Sequence, residues 1–318
     1  MSQQHTERVI GTFEGETPGP LIIVIAALHG NEPAGVRALE MVFDALEHER
    51  RDKPNFQFRG KLVGLIGNLQ AFLTRQRFVE RDLNRMWTAD LMAEIKGTKP
   101  EDLAAENREA QHLFECINAE NQSSTSETTV FLDLHTTSAE GGIFTIPTDE
   151  GESLLLAKHL GAPVIVGLQA SIPGTLLGFA TEGGFSLNLQ PSTLNAICVA
   201  FEAGQHESPH AAIRSAIAIV RCLRAMESIS QTDVVDFEKN LTLPSLTSIP
   251  PVVRFRYAHN IKEADEFKMR PGYANFQPIV QGEHLADDVH GPVLSPDKGL
   301  ILMPLYQAKG SDGFFIVQ

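Results

Sequence analysis

Cysteine is scarce. The chain carries three (Cys116, Cys198 and Cys222) among 318 residues, far apart and never in a CxxC pair. That pattern excludes a disulfide framework and a thiolate-metal cage, and it reads as reduced core thiols of a cytoplasmic protein. Long apolar runs are also missing. The longest, Leu21 to Leu28, ends after eight residues, whereas a membrane-spanning helix needs about 20. The opening MSQQHTERVIGTFEGE lacks the apolar centre of a secretion signal, so the glycosylation-like triplets at Asn121 and Asn240 carry no meaning. Basic charge is short as well: 26 Lys and Arg stand against 40 Asp and Glu, a formal net charge of −14. Such a surface repels nucleic acid and anionic membranes, so neither is expected as a partner.

What is present belongs to a globular protein. Hydrophobic residues make up 42% and charged residues 21%, and a chain of this length suits one large domain or two modest ones. Strand and helix signals alternate through the first two thirds. Leu21–Leu28 reads as a strand buried on both faces. A helix follows, capped by Asn31, with Pro33 in its first turn and Val36, Leu39, Phe43 and Leu46 at helical spacing. Lys61–Gly67 and Thr129–His135 read as further strands, with an amphipathic helix over Glu101–Ala119. Gly151–Leu160, Pro163–Gly167, Asn195–Glu202 and Pro209–Met226 continue as helix, strand, strand and helix. The result is an α/β layout, a mostly parallel sheet covered by helices. Residues 228–250 are polar and aperiodic, a linker to short strand-like pieces that form a β-rich unit.

Polar groups stand where apolar strands end. His29 and Glu32 lie three apart at the end of the first buried run, and His135 closes TVFLDLH. In open α/β sheets the crevice beyond the carboxyl ends of the strands is where ligands bind. Two histidines and a glutamate are a catalytic zinc set that leaves a fourth position for water. Asp133, on the same strand face as His135, is placed to orient that imidazole or to serve the structure alone. Glu202 closes ICVAFE. A carboxylate there is costly without a partner, and general-base work on a water supplies one. Arg77, Arg81 and Arg85 recur every four residues, which suits either a charged helix face or an anion-binding cluster.

HGNE (His29–Glu32), RDLNR (Arg81–Arg85), DLHTTS (Asp133–Ser138) and FEAG (Phe201–Gly204) stand in one order along the chain. In these motifs and their spacing the sequence resembles the succinylglutamate desuccinylase/aspartoacylase family, of the wider zinc carboxypeptidase-like group, over most of residues 20–205. PGYANFQ (Pro271–Gln277) and the tail after it are similar to that family's small β domain, which caps the cleft. The resemblance implies a zinc-carboxypeptidase-like α/β catalytic domain over residues 1–230, its mostly parallel or mixed sheet flanked by helices, and a β-rich capping domain over 245–318.

By the same resemblance His29, Glu32 and His135 hold one zinc ion per chain and Glu202 is the general base. Arg77 polarises the scissile carbonyl, and Asn84 with Arg85 grips a substrate carboxylate. Tyr257 and Tyr273 are candidates to line the cleft. Aspartoacylases carry a further carboxylate-binding arginine shortly before the catalytic glutamate; here Ser192 takes that place, which points away from N-acetylaspartate. The implied activity is zinc-dependent hydrolysis of the amide of a small, anionic N-acyl amino acid. A zinc carboxypeptidase-type peptidase of short peptides and a non-catalytic metal or anion binder on the same fold are the competing readings. Assembly into a homo-oligomer is compatible with the sequence and not specified by it.

Overall fold

The computed structural model describes residues 7–185, 195–239 and 249–318. Strands and helices alternate through β1 (Val9–Glu14), β2 (Thr17–Ala26), α1 (Ala34–Asp52), β3 (Arg59–Ile66), α2 (Leu69–Thr74), α3 (Ala89–Gly97) and α4 (Ala105–Ser123). They continue through β4 (Thr128–Thr137), β5 (Phe144–Pro147), α5 (Glu152–His159), β6 (Val164–Val166), α6 (Leu176–Thr181), β7 (Asn195–Gln205), α7 (Ala211–Ala225) and α8 (Asp236–Lys239). The remainder is β8 (Val252–Asn260), β9 (Lys268–Met269), β10 (Pro278–Ile279), β11 (His284–Asp288), β12 (Gly291–Leu294), β13 (Gly299–Leu302) and β14 (Asp312–Val317).

Among the described residues one sheet has the order β1-β3-β2-β4-β7-β5-β6-β8-β14-β13-β10, and a separate antiparallel sheet has the order β12-β11-β9. The strands β3, β2, β4 and β7 run parallel, while β1 and β5 pair antiparallel at either side of them. The apolar run in β2 explains its central place. Ile22, Val24 and Ala26 face the core under α1 and α7, and Leu21, Ile23 and Ile25 face the core under α3, α4 and α6. Both faces are dry, as a strand in a two-sided parallel sheet requires. Each large apolar side chain so buried contributes about 1.5–3 kcal/mol.

The large sheet does not stop at the polar stretch after residue 228. β8 pairs parallel with β6 and antiparallel with β14, so the C-terminal strands extend the main sheet. Alternate residues of β14 divide between two cores: Phe315 and Val317 join the main one, Phe314 and Ile316 a smaller one with Leu285, Met269 and Ile301. Pro271–Gln277 ties this region down. Asn275 donates from its backbone to Glu140 O (2.8 Å) and from its side chain to Thr137 Oγ1 (3.1 Å), and its Oδ1 accepts from Met303 N (2.6 Å). Phe276 meets Phe144 edge to face at 5.7 Å.

Two local expectations change. α1 begins at Ala34 with Pro33 at its N-cap and no side-chain cap. Asn31 instead donates to Gln307 Oε1 at 3.3 Å, because the tight His29–Glu32 turn, closed by Glu32 N to His29 O (3.1 Å), turns it toward the C-terminal wall. Arg77, Arg81 and Arg85 line no helix: the chain leaves α2 through Arg75 in the left-handed region and makes only a single turn at Leu83–Arg85. Residues 240–248 of the expected linker lie outside the described residues.

No helix of the described residues is long and apolar enough to cross a membrane. All three cysteines are free. Burial pushes the thiols of Cys198 and Cys222 up to about 12, and raises that of half-buried Cys116. The thiolate is the reactive form. Cys198 and Cys222 are therefore expected to stay unlabelled by a disulfide-exchange reagent at pH 8 until denaturant is added. Immediate reaction of all three in the native protein would contradict the packing.

Candidate metal and substrate site

The functional candidates meet because three adjacent parallel strands end at one place. β2, β4 and β7 are in register, with Ala26 opposite Leu134, Leu134 opposite Phe201 and His135 opposite Glu202. Beyond Ala26 the chain bends sharply: Ala27 is left-handed (φ 52°), and a Cβ on Gly30 would fall 2.1 Å from the Ala71 carbonyl carbon. Only glycine fits that approach. The bend carries His29 and Glu32 over the end of β4. One ligand atom each from His29, Glu32 and His135, all buried, lies within 4.8 Å of the others.

The hydrogen bonds orient both imidazoles alike. His29 Nδ1 faces Glu32 Oε1 at 2.9 Å and His135 Nδ1 faces Glu32 Oε2 at 3.2 Å. Their far nitrogens meet carboxylates, His29 Nε2 with Asp82 Oδ1 at 3.1 Å and His135 Nε2 with Asp133 Oδ2 at 2.8 Å. A carboxylate behind each imidazole fixes its ring and leaves the other nitrogen for the centre of the cluster. Glu32 Oε2 also accepts from Thr136 N at 2.9 Å.

Electrostatics follow from burial and close charges. Burial works to raise the Glu32 carboxyl, but the charge of His29 and the hydrogen bonds of both histidines hold it well below the usual range. Burial likewise opposes protonation of His135, yet Asp133 and Glu32 draw it well above the ordinary imidazole value. Asp82 is buried too, and His29, Arg77 and Arg85 keep it well below its usual value. Glu202 behaves oppositely. Burial, with Glu32 and Asp133 nearby, outweighs His135 and Arg77 and pushes it up to about 8. Its Oε2 is buried without a hydrogen-bond partner.

Arg77 reaches the cluster from the loop after α2, with Nη2 donating to Asp82 Oδ2 at 3.1 Å and Nη1 3.6 Å from Glu32 Oε1. Asn84 and Arg85 line the same cavity, together with Thr137, Gln169, Thr175 and Asp312. Asn84 Oδ1 accepts from Leu176 N at 2.9 Å, which leaves its amide N–H groups for the cavity. Tyr257 and Tyr273 do not line it: their hydroxyls meet His259 (3.3 Å) and Glu283 (2.8 Å) within the C-terminal region. Ser192 lies outside the described residues.

Sequence reasoning passed over four residues. Asp82 stands inside RDLNR among charged neighbours, and only its contact with His29 marks it. His206, whose Nδ1 lies 2.7 Å from Thr136 Oγ1, follows FEAGQ without a pattern of its own. Glu106 sits in an ordinary amphipathic helix, yet it is buried and accepts from three successive backbone N–H groups, Val79 (2.6 Å), Glu80 (2.9 Å) and Arg81 (3.3 Å). Asp312 lies in a turn-like SDG with no local signal at all.

The architecture is that of solved succinylglutamate desuccinylases. The chain is similar to the enzyme of that name from Vibrio cholerae (TM-score 0.64, 14% identity, covering 100% of this chain and 92% of that one). It is also similar to the one from Vibrio parahaemolyticus (TM-score 0.62, 19% identity, 95% and 82%). A further likeness is to the product-bound ectoine utilization protein EutE from Ruegeria pomeroyi (TM-score 0.60, 15% identity, 96% and 86%). The model of the succinylglutamate desuccinylase/aspartoacylase catalytic domain matches residues 18–219, and the chain belongs to that family. A probable aspartoacylase of Parasynechococcus marenigrum is 27% identical over 148 residues, 45% of this chain and 44% of that protein. One of Nostoc sp. is 26% identical over 137 residues, 42% and 41%. The aligned segments thus span less than half the length of either relative.

Proposed function

We propose that this protein is a metal-dependent deacylase that hydrolyses the amide of a small N-acyl amino acid. The observation that carries this reading is the convergence of His29, Glu32 and His135 beside the unpartnered carboxylate oxygen of Glu202. Two imidazole nitrogens and a carboxylate oxygen, each braced from behind, fit one divalent cation per chain. Zinc suits such donors, and so do manganese, cobalt and iron. When bound, such an ion supplies the positive charge that acidifies a water molecule and polarises a carbonyl oxygen.

The chain's own groups do the rest. Glu202 takes the proton of the attacking water at its free oxygen and returns it to the departing nitrogen. Arg77 sets a guanidinium beside the carbonyl oxygen as negative charge gathers there. Asn84 and Arg85 receive a carboxylate and so fix which amide is presented. Met303, Leu305, Gln307, Ser311 and Asp312 of the C-terminal region line the same cavity, a wall suited to a small substrate. The free thiols fit a cytoplasmic setting.

Metal analysis joined to a screen of acetyl, succinyl and formyl amino acids tests the reading. About one ion per chain and turnover of one acyl class are expected. Chelation is expected to stop turnover and lower the melting temperature, and one equivalent of zinc to restore both, since a ligand bound only by the folded state stabilises it. Turnover untouched by exhaustive chelation would sink the metal assignment. A stoichiometric ion with no hydrolysis across the panel would favour a non-catalytic metal binder.

A further inference from the structure

Arg85 already faces a carboxylate of its own chain. Its Nη2 donates to Asp312 Oδ2 at 2.6 Å and its Nη1 to Asn84 O at 2.8 Å. Ser311 Oγ donates to the same Asp312 oxygen at 3.1 Å. Both partners of the ion pair are largely shielded, 23% and 17% exposed, and both line the cavity that holds the His29–Glu32–His135 cluster. The group that would grip an incoming carboxylate is therefore neutralised before any ligand arrives.

The rest of the cavity offers no substitute. Among the described residues lining it, the arginines are Arg77 and Arg85, against the carboxylates Glu32, Asp133, Glu202 and Asp312. Arg77 is held by Asp82 and Glu32. Lys309, next to lining residue Gly310, turns away, donating to Phe78 O at 3.3 Å with its ammonium 4.5 Å from the Phe78 ring centre. An amino acid with two carboxylates would bring a second anion against Asp312 with no further unpaired arginine or lysine among the described lining residues to answer it, and like charges in a shielded site are costly. An acylated amino acid whose side chain ends in an ammonium, beside its carboxylate, exchanges one ion pair for two.

We propose that Asp312 is a specificity-determining residue which, with Arg85, forms a paired acid–base subsite for an acylated diamino acid and selects against dicarboxylic ones. The inference rests on the deacylase reading and names its substrate class. The substrate carboxylate meets Arg85 and the Asn84 amide, and the ammonium meets Asp312.

Calorimetric titration of the full-length protein with L-ornithine and L-glutamate, as deacylated products, reads the subsite without turnover. Ornithine is expected to bind at least about tenfold tighter, and Asp312→Asn to remove most of that preference. Glutamate binding as tightly as ornithine, neither amino acid binding, or a preference unchanged in Asp312→Asn would each overturn the proposal. Hydrolysis of acetylornithine and acetylglutamate, measured in parallel, separates the two readings. Equal turnover of both overturns the subsite and leaves the deacylase standing. Selective ornithine binding, with hydrolysis of no acyl amino acid, overturns the deacylase and leaves the subsite as a recognition site.

Discussion

Glu202→Gln is expected to lower turnover by about a thousandfold while the metal content stays that of the parent protein. The substitution keeps the volume and the strand and removes one property, the capacity to take up a proton and release it. Glu202 stands opposite His135 in the β4–β7 register, buried, with one oxygen free of any partner. The atoms that could hold the proposed ion come from His29, Glu32 and His135, so an intact metal content is the control that separates lost chemistry from a lost site. The fall should appear in kcat with KM little changed. Near-parental turnover in the variant would remove Glu202 from the mechanism.

Glu106→Ala is expected to destabilise the fold by about 3 kcal/mol or more, a loss of about 5 °C or more in melting temperature. The carboxylate is 1% exposed and closes the loop over Val79, Glu80 and Arg81 through their backbone N–H groups. It also accepts from Asn68 Nδ2 at 3.2 Å, while Asn68 Oδ1 caps α2 through Ala71 N at 3.1 Å. One oxygen pair thus organises both ends of the segment that delivers Arg77. Removing it leaves four donors, all buried or partly buried, without that acceptor, which costs more than the bonds themselves. Loss of activity should accompany the loss of stability because Arg77 depends on that loop. Denaturant titration checks the first effect, and a shift within a few tenths of a kcal/mol would show that water replaces the carboxylate freely.

The strand ends were legible because an apolar run that stops on histidine or glutamate breaks the pattern of a buried sheet, and Leu28-His29, Leu134-His135 and Phe201-Glu202 all do so. Their meeting was not legible in the strands themselves. It depends on β2, β4 and β7 being neighbours, a pairing between segments about a hundred residues apart at the widest step, with no local signature. Short and half-exposed strands escaped notice for another reason. β1 (VIGTFE) alternates weakly, and β5 (FTIP) is only four residues long and ends on a proline. Asp82 and Asp312 act through partners 53 and 227 residues distant, beyond what spacing along the chain reveals. The polar stretch after residue 228 suggested a break, yet β8 returns the chain to the same sheet, between β6 and β14. Composition marks where a chain leaves the core and says nothing of where it re-enters.

The two-sided packing of β14 limits how the cavity can admit and release small molecules. A strand with Phe315 and Val317 in one interior and Phe314 and Ile316 in another cannot swing as a door, since any hinge motion would tear one interior to spare the other. Any adjustment at the cavity wall therefore falls to the connecting segments that line it, Leu305, Gln307, Gly310 and Ser311 among them, rather than to β14 itself.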